Sequence, residues 1–423
     1  MHAIRLALAA GALALVAAAP VAQTPPARAF TNLRLVDPVA GTVTPDAVLV
    51  VRDGRVAAAG TAAKRPAGAE ETDLGGAYVT PGLIAAHVHV SDVHGDRPRA
   101  YTEENTLRQL RLYARYGVTS VLSLGDEQAP AFAVRDGGNP ATLTRARLSV
   151  AGPVISARTP EEARAAVAKV AALRPDFIKF RVDDNLGTST KMPLEVARAI
   201  IDEAHARNLP AAAHIFYLED AKALLKAGVD MIAHSVRDRE IDDEFVTLMK
   251  ARNVPYCPTL TRELSTFVYE STPDFFSDPF FLRGADPDVV KRLSTPEHQE
   301  KVRASKTAQG YKAAVEVARK NLKRAADAGL LVVMGTDSGA FPERFQGYFE
   351  HVELEMMAEA GLTPARVLRS ATADAAKGAR LADVGTLTPG AWADFVAFER
   401  NPLDDVRNTR TLKAVWIAGN RVQ

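Results

Sequence analysis

Residues 82–91 read GLIAAHVHVS, an apolar run that finishes in two histidines, His87 and His89. A short apolar run of this kind predicts a buried strand. Side chains along a strand alternate with period two, so both imidazoles are expected on one face at its C-terminal end. Two nitrogen ligands aimed at one point need a common partner.

The same texture recurs downstream, in order, as VTSVLSLGD, LSVAGPVI, FIKFRV, LPAAAHI, VDMIAHS, VPYCPTL and LLVVMGTDS. Between most of these runs lie helical patterns such as PLEVARAIIDEAHARN and LEDAKALLKAG, the latter closed by a glycine stop. Eight strands alternating with helices predict an α/β fold, a (β/α)8 TIM-like barrel spanning residues 81–380. The flanks read differently. Residues 23–80 and 381–423 carry short alternating apolar runs separated by turn formers, among them Asp53-Gly54, Pro389-Gly390 and Gly419-Asn420. Pairing of the two ends predicts a small β-sandwich domain formed by the N- and C-terminal segments.

In such a barrel the C-terminal strand ends make the active face. His87 and His89 end the first run, Lys179 lies inside the fourth, His214 and His234 end the fifth and sixth, and Asp337 ends the eighth. Four imidazoles and a carboxylate suit zinc or a similar divalent metal. A cationic lysine would repel a metal. Combined with carbon dioxide as a carbamate, Lys179 would instead offer two oxygens able to bridge two metal ions. Two such ions can share one hydroxide and polarise a substrate carbonyl. Asp337 would bind one ion and carry the proton to the leaving amine.

Arg181, Arg237 and Arg262 each follow a strand on that face and are candidates to hold a substrate carboxylate through a bidentate fork. Arg262 is preferred because it opens a long phenylalanine-rich stretch, residues 262–296, which is expected to serve as a pocket wall or to pack on the barrel rim. His94, His205 and His298 read as surface residues, and His351 either as a residue supporting the site from behind or as a plain helix residue. Cys257, the one cysteine, lies in an apolar run and reads as core; no intramolecular disulfide is available.

The chain has 423 residues, 47% hydrophobic and 24% charged, the ordinary globular range. Its 52 basic and 51 acidic side chains leave a net charge of +1, which gives no electrostatic reason to expect nucleic acid or an anionic membrane surface. The opening MHAIRLALAAGALALVAAAPVAQ places one arginine before an apolar stretch and then small residues. That is the pattern of a signal peptide over residues 1–22, implying a periplasmic or secreted protein with no stable membrane insertion after its removal. The expected partner is a small-molecule amide or peptide, and homo-oligomerisation is left open.

Several of these stretches together resemble the amidohydrolase superfamily, in its imidazolonepropionase-like branch with the Xaa-Pro dipeptidases and related metal-dependent carboxypeptidases. YVTPGLIAAHVHV (78–90) is similar to that family's first-strand motif, and DFIKF (176–180) to its carboxylated-lysine strand. AAHIF, GVDMIAHS and GTDSG are similar to its fifth-, sixth- and eighth-strand motifs, and the tail GTLTPGAWADFVAFERNPLDDV to its closing β segment, with Trp392 where lysine is common. The resemblance implies a binuclear hydrolase of a C–N amide bond. His87 and His89 would hold the more buried ion, His214 and His234 the second, Lys179 the bridge and Asp337 the proton, on dipeptides or N-acyl amino acids with a free carboxylate. Three departures stand out. HIFYLED puts Tyr217, a candidate to polarise the substrate carbonyl, at an unusual position. The connection after the third strand is short, which leaves one side of the mouth open, and the stretch after the seventh is long. The alternatives are a cyclic-amide or lactone hydrolase of the same fold, or an inactive metal-bearing binding protein. A mononuclear deaminase is disfavoured, because the glutamate such relatives carry three residues after the fifth-strand histidine is Tyr217 here.

Overall fold

The computed structural model describes residues 27–97 and 100–422, so the expected signal peptide lies outside the described residues. Among the described residues no helix is long and apolar enough to cross a membrane.

The two ends of the chain meet in one seven-stranded sheet. β1 (Arg28–Asp37) lies between β2 (Thr42–Arg52), antiparallel, and β4 (Glu70–Pro81), parallel. β3 (Arg55–Gly60) closes a hairpin with β2 through Asp53-Gly54, whose φ values of 51° and 76° are both left-handed, as a tight two-residue turn requires. On the other edge β4 pairs with β11 (Phe395–Phe398), followed by β12 (Leu412–Ile417) and β13 (Asn420–Arg421). The inward faces collect Phe30, Leu49, Val79, Phe395 and Trp416 into one cluster, with the Phe395 and Trp416 rings stacked at 4.7 Å. Among the described residues the two ends thus pair into one seven-stranded sheet, and a second sheet facing it, as the expected sandwich requires, is not among the sheets formed. Register shifts interrupt the pairing of β1 with both of its neighbours.

The central strands are parallel and form two three-stranded sheets. One contains β5 (Leu83–Val88), β6 (Val118–Ser123) and β7 (Arg147–Val150); the other contains β8 (Ile178–Val182), β9 (Ala211–Ile215) and β10 (Met231–Ile232). Helices follow as the periodicity predicts. Leu218–Ala227 ends at Gly228 with φ 99°, and Leu194–Ala206 buries Val196, Ile200 and Ile201. The expected seventh and eighth strands do not form ladders. VPYCPTL and LLVVMGTDS are held by single parallel bridges, Ile232↔Tyr256, Tyr256↔Val332 and Val88↔Ser338, and Ile155↔Phe180 joins the two sheets. Pro255 and Pro258 remove two backbone donors from the first of these segments, which is why its pairing is broken. No closed eight-stranded ladder is present among the described residues.

A buried ion pair ties this body to the terminal sheet. Arg147 in β7 donates from Nε and Nη2 to the two carboxylate oxygens of Asp394, at 2.6 and 3.0 Å, and its guanidinium lies 4.1 Å from the Trp392 ring centroid. Asp394 also accepts the backbone N–H of Ala418.

The phenylalanine-rich stretch resolves as packing. Phe281 lies edge-on to Phe345 and Tyr348 at 4.8 and 4.9 Å, and Phe275 to Phe281 at 5.1 Å, so the insert is anchored on the helix Tyr348–Glu359 and the segment before it. His351 on that helix is a satisfied core residue, bonded to Tyr116 O and Thr409 Oγ1, and burial brings its pKa down to about 4.

Candidate metal centre

His87, the fifth residue of β5, is wholly buried, and His89 follows two positions later on the same side. Their Nε2 atoms lie 3.1 and 2.9 Å from one oxygen, Asp337 Oδ1. One ligand atom from each of the three lies within 4.8 Å of the others, a group able to hold a metal ion. Asp337 sits at φ 62°, a left-handed conformation that turns its carboxylate back over the end of β5. The loop is fixed from below. Glu350 accepts from Thr336 Oγ1 and Ser338 Oγ, both at 2.7 Å, and Thr336 and Asp337 donate their N–H groups to His87 O.

Lys179 enters from β8 with Nζ 3.0 Å from His87 Nε2 and 3.2 Å from Leu124 O. His214 and His234 arrive from the ends of β9 and β10. Their rings stand 4.1 Å apart, and the His234 ring is 4.6 Å from that of His87. Thr259 Oγ1 meets His234 Nδ1 at 2.7 Å, and Gly125 O meets His89 Nδ1 at 3.0 Å. The six residues expected from the strand ends thus gather in one place.

The electrostatics favour neutral imidazoles around an anion. Burial, reinforced by the Lys179 charge, lowers His87 to about 3, and burial holds His214 and His234 well below the ordinary histidine value. Burial alone would raise Asp337. The Arg344 guanidinium on Oδ2 and the two imidazoles outweigh it and keep the carboxylate ionised. Burial also brings the Lys179 ammonium down to about 8, against the pull of Asp337.

Two features show that the cluster suits a cation. Among the described residues, His87 Nδ1 and His234 Nε2 are buried without a hydrogen-bond partner, a state that ordinarily costs about 1–3 kcal/mol each. At the same time His87 Nε2 faces a donor, Lys179 Nζ, and an acceptor, Asp337 Oδ1, and one nitrogen cannot satisfy both. Deprotonated imidazoles with unused lone pairs beside an ionised carboxylate are what a divalent metal requires.

The cluster opens into a cavity of about 320 Å³ lined by His89, Lys179, His214, His234 and Asp337, with Arg181, Arg262, Arg344 and Phe341 around its rim. Arg237 and Tyr217 do not line it, contrary to their expected substrate roles. Arg237 is fully buried. It donates to Ile215 O and Ser235 O, and its Nε lies 2.9 Å from Glu263, because β9, β10 and the helix Leu260–Phe267 enclose it. The Tyr217 hydroxyl turns away to Asp184 Oδ1, and Lys191 lies over its ring. Arg262 keeps its place on the wall, with Nη1 on Glu263 Oε1 at 2.7 Å.

Residues that sequence patterns did not single out complete the arrangement. Asp183, one residue past β8, accepts His214 Nε2 at 2.7 Å; its position after a strand end was the available signal. Glu127 accepts the N–H groups of Gly125, Ala151 and Gly152 and so fixes the loop that carries the His89 partner. Arg344, seven residues past Asp337, had no such signal. It reaches Asp337 while its Nε donates to Ser265 Oγ at 3.0 Å.

A family profile described as amidohydrolase matches residues 78–422, which include every residue of this cluster. The chain belongs to the amidohydrolase family. This amidohydrolase is 25% identical over 414 residues to imidazolonepropionase of Deinococcus deserti, covering 89% of this chain and 92% of that one. It is 29% identical over 284 residues to ochratoxinase of Aspergillus niger, covering 64% of this chain and 51% of that protein. The chain therefore spans about half the length of some curated relatives it matches. Among solved structures, a putative prolidase from Bifidobacterium longum superposes with a TM-score of 0.76 at 26% identity, over 94% of this chain and 95% of that one.

Proposed function

We propose that this amidohydrolase is a metal-dependent hydrolase that cleaves a C–N amide bond in dipeptides or N-acyl amino acids bearing a free carboxylate. The observation that carries the reading is the convergence of His87 and His89 on one oxygen of Asp337, beside buried imidazole nitrogens without partners. The similarity to a putative prolidase and to ochratoxinase supports it. Two divalent ions, zinc by ligand type, would be held by His87, His89 and Asp337 and by His214 and His234, with Lys179 as the bridging carbamate. Bound there, they supply Lewis acidity for the carbonyl and acidify water. The bridges linking the two parallel sheets support a (β/α)8 barrel whose C-terminal strand ends carry this site. Export through the N-terminal signal remains part of the proposal.

The chain's own residues divide the remaining work. A Lys179 amine lowered to about 8 is substantially unprotonated at slightly alkaline pH, and only the free amine adds carbon dioxide. Asp337 accepts a proton from the attacking water and returns it to the leaving nitrogen. Arg344 fixes the second Asp337 oxygen, and Arg262 presents a cation on the cavity wall to the substrate carboxylate.

The direct test loads the protein with zinc and bicarbonate and follows amino-acid release from a panel of dipeptides and N-acyl amino acids. Two ions per chain, release, its loss on chelation and its return with added zinc are expected. Two bound ions with no release anywhere on the panel would move the substrate to cyclic amides or lactones. A separate result is expected from Thr259→Val. It keeps the shape but removes the hydroxyl that orients His234, and metal affinity should fall about 10–100-fold. Metal competition titration measures it; an unchanged affinity would take His234 out of the ligand set.

A further inference from the structure

The connection after β7, through Val154 to Arg158, lines a groove beside the candidate metal centre. Val154 and Arg181 line both the cavity over the histidines and this neighbouring groove of about 750 Å³, so the two spaces adjoin at those side chains. The groove wall carries three cations, Arg158, Arg181 and Lys191, against one carboxylate, Asp183. Asp183 is already engaged by His214 and Arg181, and Lys191 by Asp220 at 2.7 Å. Arg181 keeps 38% of its side chain exposed while it donates to Asp183 and Asn185. Arg158 is exposed, and among the described residues its guanidinium makes no hydrogen bond or ion pair; only its backbone N–H is used, by the Glu162 carboxylate. An unengaged cation, Arg158, and a half-engaged one, Arg181, on the wall of a groove that adjoins a reaction centre suit an anion on the ligand. Arg262, proposed above for the substrate carboxylate, lines the cavity from the helix Leu260–Phe267 and does not line the groove.

We propose that this groove is the acyl-side subsite of the enzyme, and that its preferred substrates carry a second anionic group on the acyl chain, recognised by Arg158, with Arg181 lining the way between the cavity and the groove. The assignment of the acyl side rests on the amide-hydrolase reading, and anion recognition by the groove does not. Its attraction is exposed and therefore sensitive to salt.

Adipate and hexanoate are the matched probes, since they differ by one terminal carboxylate and are the acyl products of N-adipoyl- and N-hexanoyl-phenylalanine. Calorimetry on the zinc-loaded protein should show adipate bound about tenfold tighter than hexanoate at low salt. The preference should shrink as salt is raised and fall to about one in Arg158→Met, which keeps the aliphatic stem. The same preference should recur in kcat/KM for the two amides. Equal binding of the two acids, or a preference that survives Arg158→Met, overturns the proposal. Adipate preference that Arg158→Met removes, with neither amide hydrolysed, supports anion recognition by the groove and counts against the amide-hydrolase reading alone.

Discussion

Asp337→Asn is expected to lower kcat by about a thousandfold or more while the protein stays folded. Asparagine tolerates the left-handed backbone at this position, φ 62°, better than most residues, so the turn survives. The amide keeps the size of the carboxylate but cannot take up a proton, and proton transfer by a positioned side chain contributes about 10²–10⁴-fold. The negative charge facing His87, His89 and Arg344 is lost as well, so metal occupancy should fall along with turnover. Some loss of stability will accompany this, because buried Arg344 retains Ser265 but no anion. Circular dichroism confirms the fold, elemental analysis reports the metal, and single-turnover kinetics separates chemistry from binding. More than a tenth of wild-type kcat in a metal-replete Asn variant would sink the proton role assigned to Asp337.

The largest stability effect is expected far from the chemistry, at Asp394. This carboxylate receives Arg147 Nε at 2.6 Å, Arg147 Nη2 at 3.0 Å and Ala418 N at 2.7 Å, all buried between the parallel strands and the terminal sheet. Asp394→Ala strands the Arg147 charge without a partner and leaves the Ala418 donor unmet. Breaking one side of a buried pair costs about 3–5 kcal/mol. The double variant Arg147→Met with Asp394→Leu should recover much of that, since it removes the stranded charge. Urea midpoints of the wild type, Arg147→Met, Asp394→Leu and the double variant supply the cycle, with Asp394→Ala measured beside them. A loss below about 1 kcal/mol for Asp394→Ala would show that solvent reaches the guanidinium, and that this pair does not hold the two parts together.

Much of the candidate metal centre was legible because it lies at the ends of apolar runs. His87 and His89 face one way as a consequence of the period-two pleat, and Lys179, His214, His234 and Asp337 inherit their convergence from the alternation of strands and helices. The Asp53-Gly54 hairpin and the glycine stop at Gly228 were equally local, since each is a statement about φ at one or two residues. The side chains that orient the cluster had no comparable mark. Glu127, Glu350 and Asp183 look like ordinary surface acids in their own stretches, yet each is buried against donors brought from elsewhere in the chain.

Arg237 and Arg262 illustrate the boundary. Both follow apolar runs, and nothing nearby in sequence says that Glu263 draws Arg237 inward while Arg262 keeps a place on the cavity wall. The direction of the Tyr217 hydroxyl is hidden for the same reason, because its partner Asp184 belongs to another connection. The terminal sheet follows this pattern too. Its runs were recognisable as strands, but the insertion of β1 between β2 and β4, and the pairing of β4 with β11 more than 300 residues later, rest on distant contacts. Periodicity and turn chemistry are properties of neighbouring dihedral angles, so strand faces, helix stops and the histidine-bearing run ends were readable along the chain. The burial of a charge, the partner of a donor and the order of strands depend on what packs against them from far away, and only the folded chain supplies that.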